Sequence, residues 1–290
     1  MGNVPENRSE GPAAKLGPGR EQSAGLNIEH AHVSDPGRTR DHNEDYLGSV
    51  LAEDAGCAQT HGWLFALADG VGGHEKGEVA SRLAVEAITA GFRIAVAGDP
   101  HSALLQRLVQ AANIQVYEAG RGASPGGVAM ATTIVACALR YDRAVIAHVG
   151  DSRCYLIRHG RTTLLTRDHT VVNDQMRLGI LSARDAAQSK ARHLLSRSLG
   201  NDLFVGVETS EHQIFAGDVF LLSSDGLHGA IAAGELGETV ARTPDLQEAA
   251  AKLVSLANER DGGDNISVQL VRVRGVERVG MYRGRPYRLR

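Results

Sequence analysis

The chain has 290 residues, which is enough for one large domain with a substantial hydrophobic core. Lys and Arg number 31 against 34 Asp and Glu, so no basic field exists to hold nucleic acid or an anionic membrane by charge alone. No apolar run approaches the ~18 residues of a membrane span, and the N-terminus lacks the apolar core of a signal peptide. We therefore expect a soluble, cytoplasmic protein, which we take to be a monomer.

Composition divides the chain into a globular middle and two tails. Residues 1–26 are rich in Gly, Pro, Ser, Glu and Ala and bury too little to offset their ordering entropy, so we predict that they are disordered. Residues 274–290 are rich in arginine and predict a basic tail that is either solvated or a docking segment for an acidic partner. The globular domain is predicted to span residues 27–273.

Short apolar and β-branched runs predict strands, and apolar residues at helical spacing predict helices. In chain order the strands are 63–68, 132–139, 144–149, 154–158, 162–166, 219–222 and 266–273. Two long helices are predicted over 80–88 and 105–116, and a third is predicted to open at Thr243-Pro244, where a cap precedes a proline. This order excludes regular β-α-β alternation and favours stacked antiparallel-rich sheets flanked by helices.

Acidic residues stand at the ends of these predicted strands. They are Glu44, Asp45, Asp69, Asp151, Asp225 and Asp264. A single one is an ordinary turn residue, but several that converge repel one another unless a cation lies between them. Oxygen-only ligands select magnesium or manganese over zinc or copper. We therefore predict a site for hard divalent cations, in which Gly70 is either a carbonyl ligand or a simple turn glycine.

Two cations a few Å apart lower the pKa of a shared water and hold a phosphoryl group for in-line attack. Arg40 lies four residues before Glu44, and its planar fork suits the binding of phosphate oxygens. Rival motifs fail. Residues 70–75 miss the third glycine of a dinucleotide loop, and Glu78 replaces the lysine that a P-loop requires. His148 is predicted to be a packed or edge histidine rather than a metal ligand.

The order of these motifs resembles that of the bacterial type 2C family of metal-dependent serine/threonine protein phosphatases. The matching segments are 34–45, 67–74, 77–81, 131–133, 148–153, 165–169, 224–226 and 263–267. The resemblance implies an α+β fold, a four-layer αββα sandwich in which two central antiparallel-rich sheets are flanked by pairs of helices. It also implies a mobile flap over about residues 169–192, beside the site.

The resemblance assigns roles to the predicted site residues. Asp69 would bridge two Mn²⁺ or Mg²⁺ ions, the Gly70 carbonyl would bind one of them, and Arg40 would bind the phosphate. The remaining ligands of the pair would be Glu44, Asp225 and Asp264. Asp151 would join Asp225 at a third ion. Asp45 and Asn265 would support the ligands from behind, with Asp45 orienting a water.

The implied reaction is hydrolysis of phosphoserine and phosphothreonine in proteins by a metal-bridging water or hydroxide, opposing a bacterial-type serine/threonine kinase. Some positions depart from the family. Val71 stands where animal members carry a histidine, His74 is expected to be structural, and Ala131 replaces a glycine. Two alternatives stay open: a pseudophosphatase that only binds, and a phosphatase of a small anti-sigma antagonist in sigma-factor control. Intact ligands count against the first and Arg40 against the second.

Overall fold

The computed structural model describes residues 26–71, 76–122, 130–189, 191–276, 278–282 and 285–288. His74 and all but Leu26 of the predicted disordered tail lie outside these ranges. Two five-stranded sheets form the centre, and each is antiparallel throughout. No helix among the described residues is long and apolar enough to cross a membrane.

Sheet I and sheet II are defined by their strand orders. Sheet I has the order β1 (Asn27–Asp35), β10 (Ile266–Gly275), β9 (Val219–Ser223), β6 (Arg153–Arg158) and β7 (Arg161–Leu164). Sheet II has the order β2 (Asp45–Val50), β3 (Trp63–Asp69), β4 (Ile134–Arg140), β5 (Arg143–Val149) and β8 (Glu208–Gln213). The basic C-terminal segment forms a hairpin of β11 (Val279–Tyr282) and β12 (Arg285–Arg288).

Helices cover the outer face of each sheet. Those on sheet II are α2 (Gly77–Arg93) and α3 (His101–Gly122). Those on sheet I are α6 (Asp225–Ala230), α7 (Ala233–Arg242) and α8 (Leu246–Arg260). A short α1 (Ala55–Thr60) follows β2, and α4 (Val171–Arg177) and α5 (Ala183–Gln188) lie in the predicted flap. The predicted four-layer sandwich is confirmed.

Strand β3 shows how the sequence produces these layers. Leu64, Ala66 and Ala68 point to the helices α2 and α3, whereas Phe65 and Leu67 point to the core between the sheets. This is the period of two that a pleated strand imposes. Both faces are apolar because each is covered, so the run is continuously hydrophobic, as it is in β4 and β9.

Several predicted elements need correction. The third predicted helix is α8, and its cap is Asp245 rather than Thr243, because the Asp245 side chain accepts a hydrogen bond of 2.8 Å from the Glu248 amide. The expectation of one late helix was wrong, since α6 and α7 precede α8. Helix α6 is too short to show a helical period, and α7 contains Gly234 and Gly237.

Five strands were missed: β1, β2 and β8 in the central sheets, and β11 and β12 in the basic C-terminal segment. Strand β8 reads Glu-Thr-Ser-Glu-His-Gln and lies at the edge of sheet II, where only β5 pairs with it. Strands β1 and β2 are also edge strands. Strand β10 runs to Gly275, two residues past the predicted end of the domain. The division of the chain at residues 26 and 273 stays a prediction.

The inter-sheet core gives a stability prediction. Ile146 on β5 is fully buried between the sheets, so Ile146→Ala should lower the free energy of unfolding by about 2–5 kcal/mol through lost burial and the cavity left behind. Urea unfolding followed by circular dichroism measures this. Ile94→Ala is the control, because that side chain is 85% exposed and its loss should change the free energy by less than ~0.5 kcal/mol. Equal effects of the two substitutions would contradict the assigned core.

Candidate metal centre

The strand register brings Asp45 and Asp69 together. Asp45 is the first residue of β2, Asp69 is the last of β3, and the two are opposite each other in the antiparallel pair. The Gly70 amide donates to the Glu44 carbonyl at 3.0 Å, which extends the pairing by one residue. Three carboxyl groups that are 25 residues or fewer apart therefore meet at one end of sheet II.

Threonine hydroxyls fix the main chain of Asp69. Its amide donates to Thr133 Oγ1 at 2.9 Å, and its carbonyl accepts from Thr132 Oγ1 at 2.7 Å and from the Thr133 amide at 2.8 Å. Thr133 Oγ1 also lies 2.7 Å from Ser152 Oγ, a hydrogen bond that connects this end of β3 to the turn carrying Asp151. The 131–133 motif thus holds two acidic positions in place.

Asn265 joins the loop before β2 to the start of β10. Its Oδ1 accepts from the Glu44 amide at 2.8 Å, and its Nδ2 donates to the carbonyls of Pro36 and His42 at 3.0 and 2.9 Å. Asp264, the preceding residue, is thereby placed beside Arg40, whose Nη2 donates to Asp264 Oδ2 at 2.8 Å. Asn265 supports its neighbours through hydrogen bonds and does not line the cavity with them.

Asp225 begins α6 immediately after β9. The preceding Ser224 donates from its hydroxyl to Asp45 Oδ2 at 2.8 Å, which ties sheet I to sheet II behind the acidic residues. The other oxygen of that carboxyl, Asp45 Oδ1, is buried and has no hydrogen-bond partner among the described residues. A buried carboxylate oxygen without a donor is costly unless a cation or a water satisfies it.

Most of the predicted site residues line one cavity of about 590 Å³. The predicted residues that line it are Arg40, Glu44, Asp69, Gly70, Asp151, Asp225 and Asp264. They come from the loop before β2, the end of β3, the turn after β5, the start of α6 and the turn before β10. Asp45 and Asn265 are not part of this lining, and their supporting role stays a prediction.

Four carboxyl groups of the site hold protons more tightly than isolated ones do, namely those of Glu44, Asp45, Asp69 and Asp151. Burial raises the pKa of Asp69 well above its ordinary value, and the charge of Asp45 raises it further. Burial is also the main cause that raises the pKa of Asp45 and that of Asp151, each to about 7. Burial raises the pKa of Glu44, although Arg40 opposes it. The cluster therefore carries negative charge that its own cations do not neutralise.

His193 is a site residue that the sequence did not indicate. It lies in the flap, lines the cavity, and places Nδ1 3.7 Å from Asp225 Oδ2. Burial of Asp225 is outweighed by His193, which lowers the pKa of that carboxyl. A lone histidine in a polar loop carries no motif, and only the folding of the flap against α6 places it here.

Two glycines leave room for Glu44. A Cβ on Gly77, the first residue of α2, would lie 2.8 Å from Glu44 Oε1, and a Cβ on Gly70 would lie 2.4 Å from the Gly77 carbonyl oxygen. The α2 N-terminus therefore approaches the carboxyl group of Glu44 directly, where the helix dipole favours negative charge. Gly77 belongs to a motif recognised in the sequence, but its contact with Glu44 was not foreseen.

A second cluster, formed by His148, His169 and Glu208, does not have the geometry of a metal site. The two imidazoles are stacked, with centroids 4.8 Å apart and planes 15° apart, so their in-plane lone pairs do not converge. His169 Nδ1 accepts from the Gly150 amide at 3.1 Å, which leaves Nε2 protonated and donating to Glu208 Oε2 at 3.1 Å. His148 is buried, as predicted for a packed histidine.

Comparison with known proteins agrees with this geometry. Residues 38–270 match the family model described as protein phosphatase 2C. A serine/threonine phosphatase stp of Listeria innocua is 34% identical over 257 residues, which cover 87% of this chain and 96% of that protein. The chain belongs to the protein phosphatase 2C family. The family predicted from the motifs is thereby confirmed.

Solved structures of this family share the fold. A serine/threonine phosphatase of S. agalactiae superposes with a TM-score of 0.77 at 30% identity, covering 85% of this chain and 100% of that one. The catalytic domain of the phosphatase PstP, in complex with two manganese ions, superposes with a TM-score of 0.73 at 32% identity, covering 86% and 99%. Members of the protein phosphatase 2C family thus include a protein that binds metal in pairs.

The residues present in this family member fit hard cations. The oxygen donors that line the cavity are mainly carboxylates, joined by Thr133, Ser198 and Asn201, and His193 also lines it. A bound cation would stabilise the cluster for two reasons. It would balance the negative charge that raises the pKa values of Asp45, Asp69 and Asp151, and it would satisfy the unpartnered Asp45 Oδ1 directly or through a bound water. Oxygen donors in this number suit Mg²⁺ or Mn²⁺.

The raised pKa values predict how manganese should stabilise the protein. Asp45 and Asp151 bind more protons in the folded than in the unfolded state between their ordinary value of 3.8 and about 7, so in metal-free protein their contribution to stability falls as pH rises through that window. Mn²⁺ competes with these protons. The increase in melting temperature on adding Mn²⁺ to EDTA-treated protein should therefore be larger at pH 7.5 than at pH 5.5. An increase that is independent of pH would contradict the assignment.

Proposed function

We propose that this protein is a metal-dependent phosphatase that hydrolyses phosphoserine and phosphothreonine in proteins, as its named relatives do. One observation carries the proposal: five acidic residues from distant parts of the chain line one cavity together with Arg40. That arrangement suits a phosphoryl group, because cations hold its oxygens on one side and a guanidinium on the other.

We assign the metal ligands as the sequence predicted them. Glu44, Asp69, the Gly70 carbonyl, Asp225 and Asp264 would hold two Mn²⁺ or Mg²⁺ ions, with Asp69 between them. Asp151 and Asp225 would hold a third. Such ions lower the pKa of water and polarise phosphoryl oxygens. The proposal is supported by the shared cavity and by the two manganese ions of the related PstP domain.

The side chains of Arg40 and Asp45 have separate roles, one in binding the phosphate and the other in orienting a water. Arg40 is 41% exposed at the cavity mouth and bonds to Asp264 through Nη2, which leaves further N–H groups to donate to the phosphate. Asp45 is held through Oδ2 by Ser224 and keeps Oδ1 available to accept a hydrogen bond from a water. Arg40 is therefore suited to bind the phosphate, and Asp45 is suited to orient a water.

The alternatives are less well supported. A pseudophosphatase would lack one or more ligands, whereas every predicted ligand here lines the same cavity. Relatives named as serine/threonine phosphatases, and Arg40 itself, favour general phosphoprotein substrates over a small anti-sigma antagonist. Opposition to a bacterial-type serine/threonine kinase, action as a monomer and a cytoplasmic location remain predictions from the sequence.

Activity should depend on metal and on Asp69. Purified protein should hydrolyse p-nitrophenyl phosphate and a phosphothreonine peptide with Mn²⁺, and EDTA should stop both reactions. Asp69→Asn should lower kcat more than ~100-fold, because even residues that only orient metal ligands are worth 10- to 100-fold. Asp99→Asn, which alters a surface ion pair with Arg107, is the control and should keep wild-type rates. Turnover that survives complete chelation would refute the proposal.

Arg40 should affect substrate binding more than metal binding. Arg40→Ala should lower kcat/KM for phosphopeptides by ~10- to 100-fold, since hydrogen bonds from a charged donor are worth about 1.5–3 kcal/mol. Mn²⁺ affinity, measured by titration calorimetry, should change far less. Arg40→Lys should restore only part of the activity, because lysine lacks the planar fork. An unchanged kcat/KM in Arg40→Ala would remove this residue from the site.

A further inference from the structure

A groove runs from the metal centre along the flap. We propose that this groove binds an apolar side chain of the phosphoprotein, one or two residues from the phosphorylated one. The inference rests on the proposed phosphatase function and adds a substrate preference to it. The expected occupant is the substrate segment that flanks the phosphoresidue, because the groove opens directly into the cavity in which the phosphate is expected.

The groove is continuous with the metal centre. It has a volume of about 860 Å³ and shares Arg40, Asp151, His193, Asp225 and Asp264 with the metal cavity. A phosphate held by Arg40 places the bearing residue at the junction of the two. Neighbouring residues of an extended peptide advance by ~3.3 Å each, so side chains one or two positions away reach into the groove.

Four apolar side chains contribute to the flap side of the groove, beside the polar Thr170, Asn173 and Arg192. Val172 and Met176 on α4 and Ala183 and Ala186 on α5 line it. Val172 and Ala186 are buried, at 4% and 6% exposure, so they form a packed wall. Met176 is flexible and polarizable, which lets it fit apolar side chains of different shape.

This wall is held in place at both ends of the flap. Thr170 pairs with Leu195, and the Val171 amide donates to the Leu194 carbonyl at 2.9 Å. Asn173 Nδ2 donates to the Asp168 carbonyl at 3.0 Å, which anchors the first turn of α4. These contacts tie both ends of the flap to the rest of the protein.

Helix α6 also lines the groove, and it leaves space. A Cβ built on Gly229 meets no atom within 4 Å, so this helix position faces open groove. The next residue towards the metal centre, His228, lies with Nε2 3.1 Å from the Asp151 carbonyl oxygen and is occupied there. The space at Gly229 is therefore open to a substrate side chain.

Outside the residues that the groove shares with the metal centre, its charged side chains balance, with Arg153 and Arg192 against Asp168 and Asp261. Arg153 binds Asp168 in a bidentate pair at 2.8 and 2.6 Å. Arg192 donates from Nε to His193 Nε2 at 2.7 Å, and the acidic Asp261 also lines the groove. Because these leave no net preference for either sign, the open apolar wall decides what binds, and it favours an uncharged apolar side chain.

The test begins with peptides. A phosphothreonine peptide with alanine at all flanking positions is compared with peptides carrying a single leucine, lysine or glutamate at each position from three before to three after the phosphothreonine. Leucine at one position should raise kcat/KM about 5- to 20-fold over alanine, as expected for partial burial of its side chain. Lysine and glutamate at that position should give no such increase.

Two variants locate the effect. Gly229→Leu fills the groove and should bring the leucine-to-alanine ratio of kcat/KM to about 1, and Met176→Ala should lower it at least threefold. Gly234→Leu is the matched control, since Gly234 also lies in a helix, α7, with open space around its Cβ, but does not line the groove. Leu178→Ala is the control for Met176, because Leu178 is 68% exposed on the flap and does not line the groove. Both controls should keep the wild-type ratio.

The outcomes separate the two proposals. Failure of the wild-type protein to hydrolyse p-nitrophenyl phosphate with Mn²⁺ would sink the phosphatase proposal and this one with it. Hydrolysis of p-nitrophenyl phosphate without a leucine preference at any position would overturn the groove alone. A leucine preference that survives both Gly229→Leu and Met176→Ala, in variants that melt as the wild type does, would also overturn it.

Discussion

Repulsion between buried carboxylates is the interaction on which this structure depends. The ends of β3, β5 and β9 and the start of β10 deliver Asp69, Asp151, Asp225 and Asp264 to one end of the two sheets. Burial raises the pKa of Asp69 and of Asp151, and neighbouring carboxylates raise both further. The burial of Asp225, in contrast, is outweighed by His193, His228 and Arg40, which together lower the pKa of that carboxyl. The apolar cores around and between the sheets must supply the stability that holds this arrangement, because the cluster supplies none until cations bind.

Short polar side chains keep the cluster from relaxing apart. Thr133 and Ser152 link the Asp69 strand to the Asp151 turn, and Ser224 links sheet I to Asp45 on sheet II. These groups are small, buried and fully constrained, so they hold positions without adding charge. A site built on strand ends and braced in this way is rigid before any ligand arrives, which is what electrostatic catalysis requires.

The sequence indicated the centre of the site better than its surroundings. Asp69 and Asp225 follow continuous apolar runs, and this combination is detectable because a carboxylate next to a buried strand is costly without a purpose. His193 had no such signal, because its position depends on how the flap folds against α6. Strand β8 was missed for a related reason: an edge strand of polar residues is specified by pairing with β5 and not by its own composition. Long-range contacts decide both cases.

The residues assigned to metal binding and most of those assigned to substrate preference lie on different secondary-structure elements. Most of the acidic centre sits at the ends of paired strands, whereas the apolar residues of the groove sit on α4 and α5, between the paired positions Thr170 and Leu195 that connect the flap to the rest of the protein. Met176 therefore lies on an element that carries no metal ligand, whereas Gly229 shares α6 with Asp225. Substrate preference can vary on such a flap while the ligand geometry stays fixed, because the two are carried by elements with separate hydrophobic and hydrogen-bonded anchors.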